Sequence, residues 1–136
     1  MANERVLITE DDTRIREMYA EMLTAAGYTI ETARNGADAL ARLAQGGIDL
    51  LVLDLSFAAP EPREPDGFAV LQRVRSEAAT KGLPVVVLTG TKGEPEHKKA
   101  AAELGVRHYL IKYKAKPKEV VETVRAALAA AATPAP

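Results

Sequence analysis

Four short apolar runs in this chain each lead into a chemically distinct group: Arg5–Thr9 into Glu10 and Asp11, Asp49–Leu53 into Asp54, Leu83–Leu88 into Thr89, and Val106–Ile111 into Lys112. Two or three carboxylates brought to one place repel strongly unless a cation joins them, and an all-oxygen set with carboxylates suits a hard metal such as Mg²⁺. A lysine and a hydroxyl facing such a metal make a pocket for a phosphoryl group. In that pocket Asp54 is the candidate nucleophile, because a carboxylate can attack phosphorus to give an acyl phosphate. Mg²⁺ and Lys112 would neutralise charge on the transferring group, and the Thr89 hydroxyl would donate to one of its oxygens.

Positioning these groups together requires the runs to be parallel strands. Asp49–Leu55 is almost wholly apolar up to its aspartates and sits between Gly46-Gly47 and a proline-rich stretch, the pattern of a strand buried on both faces. Helical signals separate the strands. Ile15, Met18, Tyr19, Met22 and Leu23 form one apolar stripe, which Gly27 ends and Asp12 is placed to cap. Tyr28–Ala33 reads as a strand and Asn35-Gly36 as a turn, and Ala37, Leu40, Ala41 and Ala44 mark a small-residue helical face. Residues 56–65 hold Pro60, Pro62 and Pro65 and are read as an extended loop, after which Asp66 caps a helix with Phe68, Val70, Leu71 and Val74 inward. A weakly anchored helix is expected from about Glu94 to Leu104, held by Ala100, Ala101 and Leu104. A final helix opens at Pro117 with Val120, Val121, Val124 and Leu128 inward, and its outer side is read as a dimer or target surface. Five strands alternating with five helices predict an α/β fold with one parallel sheet between two helical layers. The alternation leaves the strand order open.

Composition narrows the function classes. A chain of 136 residues, 47% hydrophobic, has enough apolar material for one domain, expected over residues 1–128 with a flexible tail over 129–136. A net charge of −1 gives no basic footprint for nucleic acid. The absence of cysteine fits a reducing compartment, with the cytoplasm as the expected location, and no apolar run reaches the roughly 20 residues needed to span a bilayer. His97 and His108 are remote in sequence from the carboxylates, and Lys114, Lys116 and Lys118 read as a solvated face beyond Lys112.

In register, these segments resemble the receiver domain of two-component response regulators, the CheY-like superfamily. The matching pieces are Val-Leu-Ile-Thr-Glu-Asp-Asp at 6–12, Ala-Arg-Asn-Gly-Ala-Asp-Ala-Leu at 33–40 and Asp-Leu-Leu-Val-Leu-Asp-Leu at 49–55. Asp66-Gly67-Phe68, Val-Val-Val-Leu-Thr-Gly at 85–90 and Tyr-Leu-Ile-Lys at 109–112 complete them. The resemblance implies a flavodoxin-like three-layer sandwich with strands in the order 2-1-3-4-5. It implies Asp54 as phosphoacceptor, Glu10 and Asp11 as Mg²⁺ ligands with Asp54, a backbone carbonyl from Ser56 to the metal, and Thr89 with Tyr109 as a switch pair. On the same reading Ser56 and Thr91 flank the path of the hydrolytic water and tune dephosphorylation. The chain departs from the family in a longer, proline-rich loop before Asp66 and in Tyr113, which stands after Lys112 where proline is usual.

The expectation is a stand-alone receiver, or else a fragment of a longer regulator, rather than an enzyme acting on other molecules. Its phosphoryl group would come from a sensor histidine kinase or a histidine phosphotransfer protein, and the signal would pass to a protein target through the fourth helix, fifth strand and fifth helix. A small Mg²⁺-dependent phosphohydrolase would use the same acyl-phosphate chemistry, but the sequence shows no cap domain. A pseudo-receiver that binds partners without phosphorylation would not need the full set of carboxylates, hydroxyl and lysine. A flavin-binding module of the same fold would need a phosphate cradle where Glu10 and Asp11 stand.

Overall fold

The computed structural model describes residues 3–55, 65–90, 96–112 and 114–132. Within them the strands are β1 (Arg5–Thr9), β2 (Thr29–Ala33), β3 (Leu50–Leu53), β4 (Val85–Thr89) and β5 (His108–Ile111). They alternate with the helices α1 (Thr13–Ala25), α2 (Gly36–Ala44), α3 (Gly67–Ser76), α4 (Glu96–Glu103) and α5 (Pro117–Ala132). All strand pairs are parallel and the order is β2-β1-β3-β4-β5, the flavodoxin-like order that the resemblance implied.

The period-2 alternation of the strands divides the core into two layers. Leu7, Leu51, Leu53, Val85 and Val87 face α2, α3 and α4, whose buried contributions include Leu43, Val70, Val74 and Ala101. Val6, Ile8, Leu50, Val52, Val86 and Leu88 face the opposite side, against Tyr19 and Leu23 of α1 and Val120, Val124 and Leu128 of α5. Every residue of β3 and β4 is buried, as strands covered on both faces must be. The helix starts follow from the caps read in the sequence: Asp12 accepts from the Ile15 amide at 3.0 Å and Asp66 from the Ala69 amide at 2.9 Å.

Four details differ from the sequence reading. Asn35-Gly36 is the start of α2 rather than a free turn, the Asn35 side chain accepting from the Asp38 amide at 2.8 Å. The inward face of α2 is Gly36, Ala39 and Leu43, not Ala37, Leu40, Ala41 and Ala44; of the latter only Leu40 is partly covered. The cause is a close approach: a Cβ on Gly36 would lie 2.3 Å from the Pro65 carbonyl oxygen and 2.9 Å from Val70 Cγ2, so the glycine side of the helix is the side that can meet α3. Met18 lies outside the α1 stripe at 48% exposure, because Ile15, Tyr19, Met22 and Leu23 already fill the contact with the sheet and α5. Helix α5 continues through Ala132, past the start of the expected tail, in keeping with the high helix propensity of its alanines; residues 133–136 lie outside the described set.

These burial assignments are separable by mutation. Leu51→Ala empties a fully buried position of β3 and is expected to lower the unfolding free energy by about 2–5 kcal/mol. Met18→Ala is expected to change it by about 0.5 kcal/mol or less. Urea denaturation of both variants beside the parent reads the difference, and a loss at Met18 as large as that at Leu51 would contradict the orientation of α1.

Candidate functional site

The site lies at the carboxyl edge of the sheet, built from residues one step past the strands and still tied to them. The Glu10 amide donates to the Ala33 carbonyl at 3.1 Å, the Asp54 amide to the Thr9 carbonyl at 3.2 Å, and the Lys112 amide to the Thr89 carbonyl at 2.8 Å. The ladder therefore extends just far enough to fix three functional backbones. Behind Asp54, the first turn of α3 packs directly on the chain. A Cβ on Gly67 would lie 2.5 Å from the Asp54 carbonyl oxygen and 2.7 Å from the Leu55 Cα, so this approach requires glycine.

Glu10, Asp54 and Thr89 are all buried, at 3%, 2% and 0% exposure. The Lys112 ammonium sits 2.8 Å from both Glu10 Oε1 and Asp54 Oδ2. The Thr89 hydroxyl donates to Asp54 Oδ1 at 2.9 Å, and the Asp12 amide donates to Glu10 Oε2 at 3.0 Å. Asp11 is exposed at the rim, with a carboxylate oxygen within 4.8 Å of those of Glu10 and Asp54. Sequence reasoning thus named five residues that the fold brings together: Glu10, Asp11, Asp54, Thr89 and Lys112. Ser56, Thr91 and Tyr113 lie outside the described residues.

Burial pushes the Glu10 carboxyl up to about 7, against the opposing pull of its hydrogen bonds to Lys112 and Asp12. Burial works against the Lys112 ammonium too, but its hydrogen bonds to Asp54 and Glu10 outweigh it and hold the group above its ordinary value. Three carboxylates against one ammonium leave a surplus of two negative charges when all are ionised. A divalent cation would cancel that surplus, and an all-carboxylate oxygen set is the donor chemistry Mg²⁺ takes. Glu10, Asp11 and Asp54 are the residues that would hold it.

The sequence reading missed Arg16. Its Nη1 donates to the Glu10 carbonyl at 2.8 Å and its Nη2 to Thr13 Oγ1 at 3.3 Å, pinning the acidic turn to the start of α1. Its position four residues after Asp12 was the available signal, but many exposed arginines share that spacing. Tyr109 is half-buried on β5, opposite Val87, and packs against the core layer under α3 and α4. His97 contacts the Phe68 ring edge-on at 5.0 Å, and His108 begins β5 at the far end of the strand from Lys112; neither belongs to the carboxylate cluster.

Comparison with known proteins places this geometry in context. A family profile for the response regulator receiver domain matches residues 6–125. The chain is 33% identical over 124 residues to the transcriptional regulatory protein ResD of Bacillus subtilis, an alignment covering 91% of this chain and 48% of that protein. It is 31% identical to the phosphate regulon transcriptional regulatory protein PhoB of Pseudomonas aeruginosa, covering 94% of this chain and 53% of that one. The chain thus spans about half the length of these relatives. Among solved structures, the chemotaxis protein CheY4 of Vibrio cholerae superposes with a TM-score of 0.80 at 28% identity, over 93% of this chain and 99% of that one.

The raised Glu10 carboxyl sets a pH dependence. A cation needs Glu10 ionised, so Mg²⁺ affinity is expected to be full above about pH 7 and to fall by up to roughly tenfold per unit below it through this one group. Without metal the sign reverses. A carboxyl whose folded value lies above its unfolded one stabilises the fold in full only below its ordinary value of 4.5, and that contribution declines as pH rises from there and is gone above about 7. Calorimetric Mg²⁺ titrations across this range, with thermal melts in chelator, check both; affinity flat from about pH 5.5 to 8 would contradict the assignment of Glu10.

Proposed function

The chain belongs to the response regulator receiver domain family, and on that premise we propose that it is a Mg²⁺-dependent phosphoswitch with Asp54 as phosphoacceptor. The observation that carries the proposal is the surroundings of Asp54: a buried carboxylate with an ammonium 2.8 Å from one oxygen and a hydroxyl 2.9 Å from the other. In the proposed reaction an Asp54 carboxylate oxygen attacks phosphorus of a phosphohistidine, the new O–P bond forms, and the N–P bond to the donor imidazole breaks. Bound Mg²⁺ would supply charge compensation for the transferring oxygens. Lys112, already shared between Glu10 and Asp54, is placed to follow the negative charge from carboxylate to phosphoryl oxygen.

Thr89 gives the switch its starting state. Its hydroxyl is committed to Asp54 Oδ1, and phosphorylation would turn it toward a phosphoryl oxygen. Half-buried Tyr109 then takes the space that the Thr89 movement opens, changing the surface of α4, β5 and α5. We further assign a backbone carbonyl of Ser56 to the metal, and control of the phosphoryl lifetime to Ser56 and Thr91. The phosphoryl donor is a sensor histidine kinase or a histidine phosphotransfer protein, and the signal leaves to a protein target or a second copy of the chain. With a net charge of −1, this chain itself makes no direct nucleic-acid contact in this reading. No helix among the described residues is long and apolar enough to cross a membrane, and a cytoplasmic location belongs to the same proposal.

Intact-mass measurement after incubation with acetyl phosphate tests the assignment. The expected result is a single phosphoryl adduct that requires Mg²⁺, is base-labile, and is lost in Asp54→Ala. In Lys112→Ala its formation is expected to slow by about a hundredfold or more, in line with removal of one charge-stabilising donor. No adduct on the parent chain, together with no binding of beryllofluoride in the presence of Mg²⁺, would overturn the phosphoswitch. Substitution of Ser56 or Thr91 is expected to change the decay rate of the adduct in the same assay; unchanged decay in both would remove their assigned role.

A further inference from the structure

At the opposite edge of the sheet, where β4 begins at Val85 and β5 at His108, lies a cavity of about 470 Å³. Its wall includes the hydrocarbon of Leu83, Val85, Leu104 and Ala127. The charged side chains on it are mainly cationic, with Arg75, Lys81 and Arg107 set against Glu103. The volume is in the range of small-molecule sites, which combine apolar walls with a few fixed polar groups.

Arg75 is the fixed polar group. Its Nε donates to the Leu104 carbonyl at 2.6 Å, and its Nη1 donates to the carbonyls of Leu83 at 2.6 Å and Lys81 at 3.1 Å. These three contacts tie α3 to the approaches of β4 and β5 and hold the guanidinium plane in one orientation. All three acceptors are neutral, and among the described residues Arg75 has no carboxylate partner. Burial accordingly pulls the guanidinium below its ordinary value. Its Nη2 donates to no described residue and lies 3.9 Å from where a side chain on Gly105, itself on the cavity wall, would begin. The cavity therefore presents a preorientated cation that is paired with no carboxylate, beside hydrocarbon.

We propose that this cavity binds a small organic carboxylate with an apolar body, the anion at Arg75 with Lys81 and Arg107 around it, and the hydrocarbon against Leu83, Val85 and Leu104. A monoanion can accept from Nη2, the one Arg75 nitrogen whose hydrogens are not already given to carbonyls. A phosphate would leave the hydrocarbon of Leu83, Val85 and Leu104 uncovered, whereas a carboxylate with an apolar body covers it. The site shares no residue with the carboxylate cluster around Asp54, so its test is independent of the phosphoswitch.

Octanoate, 1-octanol and inorganic phosphate are the probes, titrated into the full chain and followed by amide NMR shifts. Octanoate is expected to saturate at one equivalent, with shifts concentrated at Val85, Leu104, Gly105 and His108, and to bind at least about tenfold more tightly than octanol. Changing the exposed pair Lys81→Gln and Arg107→Gln is expected to weaken octanoate about tenfold while leaving octanol unchanged. Ala130→Phe, which adds a ring at a lining position, is expected to abolish both. Thermal melts establish that each variant is folded. A linear, unsaturable response, equal binding of octanoate and octanol, displacement of octanoate by phosphate at equal concentration, or undiminished binding in Ala130→Phe would each overturn the proposal.

Discussion

Everything at the carboxyl edge of this sheet depends on two buried carboxylates sharing one ammonium. Glu10 and Asp54 are withdrawn from water almost completely, and Lys112 reaches both at 2.8 Å. Burying charges is costly, and their attraction offsets the cost only when geometry is good and the remaining lone pairs are satisfied. Here the Asp12 amide takes the second Glu10 oxygen and the Thr89 hydroxyl the second Asp54 oxygen. The compensation is still incomplete, as the elevated Glu10 carboxyl shows. A site left short of positive charge is one that favours an arriving cation, so the instability of the cluster and its chemistry have the same origin.

The remainder of the fold holds that arrangement against its own repulsion. Three strands end within a residue of a charged group, and the ladder hydrogen bonds of Glu10, Asp54 and Lys112 deny those backbones the freedom to separate. Two apolar layers clamp the sheet, so relaxing the charges by moving a strand would disturb packed side chains on both faces. Gly67 adds a third constraint, since α3 rests on the backbone of Asp54 and Leu55 at a distance only glycine permits.

The site was legible in the sequence because its parts are terminal to apolar runs, and parallel strands necessarily align their ends. Asp54 after Leu50–Leu53 and Lys112 after His108–Ile111 needed only that rule. What the sequence concealed depends on contacts between distant segments. The rotation of α2 is decided by Gly36 meeting Pro65 and Val70, and alanines at 37, 41 and 44 are small enough to sit on either face without signalling which. Arg16 gave only the weak sign of its spacing from Asp12, because its partner at Glu10 is a backbone atom. The cavity around Arg75 was invisible for the same reason: its guanidinium is held by the carbonyls of Lys81, Leu83 and Leu104, which carry no side-chain signature.

The two edges are joined by the same pair of strands. β4 runs from Val85 on the cavity wall to Thr89 beside Asp54, and β5 from His108 to the residue before Lys112. Adjacency of this kind transmits nothing by itself, because a ligand shifts an equilibrium only by the difference in its affinity for the two states. Such a difference has to arise at a contact between elements, and Arg75 makes one by linking α3 to the loop that follows α4. If phosphorylation at Asp54 alters how α4 lies on the sheet, the Leu104 carbonyl moves relative to the guanidinium, and occupancy of the cavity becomes linked to the state of Asp54. Linkage is reciprocal, so a carboxylate that prefers one position of α4 would bias phosphorylation by the same factor with which phosphorylation biases its binding.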